Sequence, residues 1–213
     1  MANSFPAPAL VIEHLEEDFY EWCQYEYERI AKHILPHRSL LHITNFTKDF
    51  TGENVKCHGG ECVNIFPKER VCLLDSEAPQ VLSPEDAQTF DYFLLGGILG
   101  NVDDFDFDRT SVLREQGYAR RSLGNMQMTT DTAAMVTSLI VHQGKQFDEL
   151  DFVDRPEFPV NTQAEGDQNL GSQEMLVMNF RYLKREQDGA ADIDPRILAL
   201  AMNDREFDLQ DLQ

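Results

Sequence analysis

Basic side chains are scarce in this chain. Its 18 lysines and arginines face 38 aspartates and glutamates, giving a formal charge of −20 over 213 residues. A surface of that sign repels phosphate backbones and draws basic partners from a distance, so a nucleic-acid substrate would need a strongly local basic patch. The candidates are Arg120-Arg121 and Lys184-Arg185. Cysteine is sparse as well: Cys23, Cys57, Cys62 and Cys72 form no regular framework, which fits a reducing compartment. Long apolar runs are missing, because glycine and polar residues break every uncharged stretch short of the roughly 18–20 residues of a membrane span. The first basic residue is Arg29, so a basic secretory or mitochondrial leader is not expected, and the cytoplasm is the default location. Nucleotide fingerprints are absent too: neither GxGxxG nor GxxxxGK[ST] occurs.

What is present fits one α/β domain spanning residues 1–213, with 42% hydrophobic and 26% charged residues. Short β-like runs alternate with helical ones, which predicts a mainly parallel sheet with helices on both faces. Ala9–His14 reads as the first strand. Glu16, Glu17 and Asp18 then open a long helix at the end where acids suit its dipole, with Phe19, Trp22, Cys23, Tyr27, Ile30, Ala31 and Ile34 facing inward and Pro36 ending it. Further strands are read at Leu40–Asn45, Arg70–Asp75, Leu150–Asp154 and Met175–Leu183, and a last helix at Pro195–Met202. Ser83, Pro84 and Asp86 have the spacing of a capping box. Polar insertions are expected at Phe46–Lys68 and Asn161–Glu174. Cys57, His58 and Cys62 in the first could ligate zinc with His42, but two idle thiols in a flexible segment explain them better, and no metal is expected.

Two glycine-containing stretches organise the rest. Phe90–Gly100 (FDYFLLGGILG) is a bulky strand running into Gly96, Gly97 and Gly100, where the backbone can approach a ligand closely. About 25 residues on, Arg120–Ala134 (RRSLGNMQMTTDTAA) passes from a strand through a turn at Gly124-Asn125 to a helix start. Thr129 or Thr130 is placed to cap that helix through its hydroxyl, and Asp131 to complement its dipole. Strand, glycine turn and capped helix form a ligand-binding loop in α/β proteins, and equally an ordinary βα connection. Four acids, Glu13, Glu16, Glu17 and Asp18, gather at the first strand-to-helix junction, on the same sheet edge. They serve there either as a solvated helix start or as a cation site. The acidic run Asn101–Asp108 offers the same two readings, a solvated loop or a dock for an arginine-rich partner.

FDYFLLGGILG, RRSLG..QMTTDTA, FVDRPEF (Phe152–Phe158), NFRYL (Asn179–Leu183) and VIEHLEEDFYEW together resemble the fungal SPOUT-class protein arginine methyltransferases, over most of the chain and in the same order. The resemblance implies a trefoil knot over about residues 90–145 and S-adenosylmethionine as cofactor. It also implies, as substrate, an arginine of a basic small-subunit ribosomal protein, and a monomeric enzyme that touches neither nucleic acid nor membrane. Mapped onto this sequence, the cofactor would be held by Leu95, Gly96, Gly97, Ile98, Leu99 and Gly100, by Leu123, Gly124, Met126, Gln127 and Met128, and by Thr129, Thr130 and Thr132. A side chain at Gly97 would then block the cofactor while leaving the fold intact.

The chemistry such an enzyme must solve is that arginine stays protonated at any working pH and is a poor nucleophile. Carboxylates have to clamp the guanidinium and accept a proton as the methyl arrives. Glu13 is the preferred clamp and base, because a strand end is rigid, with Asp131 as second catalytic candidate and Glu16, Glu17 and Glu157 as substrate contacts. Two competing readings are an RNA methyltransferase, which the charge opposes, and a non-catalytic acidic escort for a basic ribosomal protein.

Overall fold

Ala9–His14 forms strand β1, and every one of its residues is buried. The structure is a computed structural model and describes residues 7–97, 110–160 and 175–210, with side chains through Asn203. After β1 come helix α1 (Glu21–Ile34), β2 (Leu41–Thr44), β3 (Val55–Cys57), the single turn α2 (Cys62–Ile65), β4 (Val71–Leu74) and β5 (Tyr92–Gly97). Short α3 (Ser111–Glu115), β6 (Ala119–Arg121) and α4 (Thr130–Gln143) follow. The strands lie in the order β3-β2-β1-β5-β4-β6, all parallel. This is the expected α/β architecture.

Alternation along β1 divides the two layers. Leu10 and Ile12 point to the face covered by α1 and α4, where Tyr27, Ile30, Ile34, Ala134, Val136 and Ile140 complete the larger core. Val11 points to the other face, with Val71, Leu73 and Leu94 under Cys62 of α2 and Leu113 of α3. A third cluster belongs to the C-terminal part, made of β7 (Phe152–Asp154) with β10 (Arg181–Leu183), β8 (Glu157–Pro159) with β9 (Met175–Val177), and α5 (Pro195–Gln210). Trp22 and Tyr25 on the outer side of α1 pack against it, so α1 is covered on both sides. Arg181 N–H donates to the Gln127 carbonyl at 2.8 Å and ties this part to the loop before α4.

Several expected boundaries shift. The first helix starts at Glu21, because the residues before it are otherwise bonded: Leu15 N–H donates to the Gly97 carbonyl and Phe19 N–H to the Asp18 carboxylate. Met175–Leu183 is two short strands, and the last helix runs on to Gln210. Residues 46–68 are not a loose insertion. They supply edge strand β3, the buried Asn54 side chain donating to the Ala31 and Ser39 carbonyls, and the buried Cys62. Ser83 N–H does donate to the Asp86 carboxylate at 3.0 Å, as the capping-box spacing predicts. The expected knot runs through residues 98–109 and the second expected insertion is 161–174; both stretches lie outside the described residues.

Candidate active site

The carboxyl ends of β1, β5 and β6 and the start of α4 meet at one rim. Register places Glu13 opposite Gly96 and His14 opposite Gly97 on one side of β1, and Glu13 opposite Thr44 on the other. The Thr130 hydroxyl reaches the Gly96 carbonyl at 3.4 Å, so the first glycine loop touches the start of α4. Leu123 and Met128, from the second loop, share one apolar cluster with Leu95. Gly124 has φ +84, a left-handed conformation that favours glycine, and a Cβ there would stand 3.0 Å from the Phe147 ring. Met126 is half-buried and Gln127 exposed. Ile98, Leu99 and Gly100 lie outside the described residues.

Gly97 is required by the protein itself. A Cβ at this position would lie 2.5 Å from the Tyr27 hydroxyl and 2.7 Å from Ile12 Cγ2, so its bareness reflects packing under the rim, and a bulky substitution would strain the fold as well as the loop.

Glu13 is 2% exposed. It accepts hydrogen bonds from the Thr44 hydroxyl and, at 2.9 Å, from Cys62 N–H, both on Oε2. Burial is the largest influence on its carboxyl and pushes its pKa up, against the downward pull of Thr44 and Cys62. Its side chain shares the β1 face of Val11, opposite the face that α4 covers. Glu13 is therefore beside Gly96 along the backbone, while Asp131 is on the other side of the sheet.

Asp131 is already engaged. Its Oδ2 takes the Arg29 guanidinium at 2.6 Å, and its Oδ1 takes the Thr129 hydroxyl at 2.6 Å and Thr132 N–H at 2.7 Å. Thr129 is the N-cap by position, but its hydroxyl makes no capping bond to the backbone. The buried Glu26 of α1 lies close to this helix start. Burial first, and Asp131 second, raise the Glu26 pKa well above the ordinary carboxylate range, while the Thr130 and Asp131 backbone N–H groups pull it down.

The remaining acids separate. Glu16 is half-buried and Glu17 exposed in the bend after β1, where Asp18 pairs with Lys48 at 2.8 Å. Glu157 is exposed on β8, paired with β9 in a separate two-stranded ladder, so no strand register brings it to the six-stranded rim.

Four rim residues escaped the sequence reading. His14, 4% exposed, bonds the Tyr27 hydroxyl through Nδ1 at 2.8 Å and the Asp18 carbonyl through Nε2 at 3.2 Å. The carbonyl can only accept, so Nε2 carries the hydrogen and Tyr27 donates to Nδ1. Burial lowers the His14 pKa. Tyr27, Glu26 and Arg29 all sit on α1. Glu26 falls three residues after Cys23 on the inward face, and a charge at such a position was the readable signal.

Comparisons with known proteins fit this geometry. A family model described as "Protein arginine N-methyltransferase SFM1-like" matches residues 9–206. Protein arginine N-methyltransferase SFM1 of Saccharomyces cerevisiae is 35% identical over 225 residues, covering 95% of this chain and 98% of that protein. The crystal structure of yeast SFM1 with S-adenosylmethionine superposes with a TM-score of 0.74 at 32% identity, covering 93% of this chain and 91% of that one. SFM1 has also been crystallised with SAH and with MTA. A Trm10 protein of Thermococcus kodakaraensis, 18% identical with a TM-score of 0.52 over 67% of this chain and 96% of that one, shares the fold.

Proposed function

This chain belongs to the SFM1-like protein arginine N-methyltransferase family, whose members use S-adenosylmethionine, and we propose that it methylates an arginine of a basic small-subunit ribosomal protein, acting in the cytoplasm as a monomer. The observation that carries this reading is the meeting of Gly96-Gly97, Leu123-Gly124 and Thr129-Thr130 at one rim, with Glu13 the direct register partner of Gly96 and its carboxyl buried on the Val11 face of the sheet.

The residues present suit the cofactor. Backbone left bare at Gly124 and apolar walls from Leu95, Leu123 and Met128 make the mixed surface that an adenosine needs. Closure of the three loops into the trefoil knot of the class is part of the proposal. When bound, S-adenosylmethionine supplies an electrophilic methyl group on a sulfonium. The protein has to hold one guanidinium nitrogen in line with that methyl and take up the proton released as the nitrogen–carbon bond forms and the sulfur–carbon bond breaks. Glu13 fits the second task. A raised carboxyl pKa brings an acid closer to a working general base, and among the described residues its hydrogen bonds fall on Oε2, so the proposal assigns the proton to Oε1. Asp131, bound to Arg29, is assigned a structural part at the cofactor loop instead.

The acidic surface suits a basic protein substrate. The arginines of the candidate basic patches are already paired: Arg120 with Asp75 at 2.7 Å, Arg121 with Asp86 at 2.7 Å and Arg185 with Asp188 at 2.8 Å. Phosphate recognition would therefore have to break existing ion pairs. The test is transfer of labelled methyl from S-adenosylmethionine into purified small subunits. Label lost to protease and kept after nuclease is expected; label lost to nuclease overturns the proposal.

A further inference from the structure

Arg29 lies on α1, outside the loops that the family reading assigns to the cofactor, yet it reaches two separate parts of the rim's support. Nη1 donates to Asp131 Oδ2 at 2.6 Å, while Nη2 meets Asp192 Oδ1 at 2.7 Å and the Asp192 carbonyl at 2.9 Å. Asp131 passes this contact on, because its other oxygen is held by the Thr129 hydroxyl and Thr132 N–H. The neighbouring Thr130 hydroxyl then reaches the Gly96 carbonyl. Asp192 is in turn fixed to β10 by its N–H on the Leu183 carbonyl at 2.8 Å, and β10 holds the Gln127 carbonyl through Arg181 N–H. Both ends of the stretch Gln127–Asp131 are thus tied down, one by β10 and the other by Arg29, with Arg29 also bracing β10 through Asp192.

We infer that Arg29 is a positioning residue for methyl transfer, its fork setting where the Thr129–Thr132 start of α4 stands relative to the C-terminal strands. The inference rests on the methyltransferase reading above. A pair that served stability alone could be replaced by packed apolar side chains without harm. A planar fork joined to three oxygens on two elements fixes relative position in a way that packing does not. Group transfer is sensitive to that position, a shift of about 1 Å costing on the order of a hundredfold in rate. Tyr182 provides the contrast. It is 1% exposed in the same neighbourhood, and its hydroxyl has no hydrogen-bond partner among the described residues, so it packs against the cluster without directing it.

The experiment measures S-adenosylmethionine affinity by calorimetry, and kcat and KM with small subunits, for the full chain and four variants, each well below its melting temperature. Arg29→Met is expected to lose about ten- to a hundredfold in kcat and to bind S-adenosylmethionine more weakly, with the KM for the protein substrate unchanged. Arg29→Lys, whose ammonium can serve one carboxylate but not both, should recover part of the loss. Asp192→Ala removes the side-chain half of the second arm, leaving the main-chain carbonyl, and should give a smaller loss in the same direction, so it carries the test even if Arg29→Met fails to fold. Tyr182→Phe should match the wild type. Folded Arg29→Met or Asp192→Ala with wild-type affinity and turnover overturns the inference, as does a Tyr182→Phe loss equal to that of Arg29→Met. Wild-type protein that binds no S-adenosylmethionine would sink the methyltransferase reading and this inference together; normal wild-type binding with unaffected variants sinks the inference alone.

Discussion

The Tyr27 hydroxyl fills the space where a side chain on Gly97 would begin, 2.5 Å from the position of a Cβ. Helix α1 therefore carries the floor of the first glycine loop, and the two positions should be energetically coupled. Gly97→Ala is expected to cost about 1–3 kcal/mol through overpacking. Tyr27→Phe removes the nearer contact but leaves His14 Nδ1 without its donor, at about 1 kcal/mol. The double variant should be more stable than the sum of the two losses implies, as read from denaturant midpoints in a double-mutant cycle. Additive losses would show that the hydroxyl is not the obstacle.

Glu13→Gln is expected to lower turnover by on the order of a hundredfold or more, the usual contribution of a proton acceptor, while S-adenosylmethionine affinity stays at the wild-type value. The carboxamide keeps an oxygen for Thr44 and Cys62 to donate to, so the local packing should survive. Single-turnover rates with calorimetry on the same sample check this. Wild-type turnover would remove Glu13 from the chemistry.

Stability should respond to pH in two opposite directions. Glu26 has its pKa raised above the ordinary 4.5, so the folded state retains a proton that the unfolded chain releases. Its contribution is complete below about 4.5 and is lost as pH rises through the raised value. Glu26→Gln should therefore gain on the wild type with rising pH, by at most about 1.4 kcal/mol per unit. His42 behaves the other way: burial first, then His58 and Lys56, push it from 6.5 down to about 4. What it contributes is present above 6.5 and lost as pH falls from there to about 4, and His42→Phe should flatten that acid limb. Chemical denaturation across pH 4 to 8 reads both slopes, and parallel curves for wild type and variants would contradict the assignments.

Strand order of use was legible because β1 and β5 are short buried apolar runs, each ending in residues that cannot extend the core, Glu13-His14 and Gly96-Gly97. The second loop showed itself through Gly124 and the threonines before α4. What stayed hidden depends on three-dimensional neighbours. Nothing in the spacing of Asp131 reveals Arg29, 102 residues earlier, as the group that neutralises it. Glu157 looked like another rim acid because strands and helices alternate as far as Leu150, but β8 pairs with β9 outside the main sheet. Residues 46–68 looked irregular because β3 is only three residues long and two of the three are exposed, so it carries no apolar run.

Charge steering predicts a dependence on salt that separates the two substrates. With −20 on the enzyme, a basic protein should associate more slowly as ionic strength rises, screening length falling from about 10 Å at 0.1 M to about 3 Å at 1 M. The KM for the protein substrate should climb over that range while S-adenosylmethionine affinity changes little, which initial rates and calorimetry measure directly. Equal sensitivity of both would remove the acidic surface from substrate capture.

The account stands most directly on where the methyl group ends up. Tandem mass spectrometry of small-subunit proteins incubated with S-adenosylmethionine and the wild-type chain should place it on a guanidinium nitrogen of an arginine, with the same peptide unmodified after incubation with Glu13→Gln. Methyl found on lysine, on an amino terminus or only on RNA, or on arginine equally with both enzymes, would contradict it.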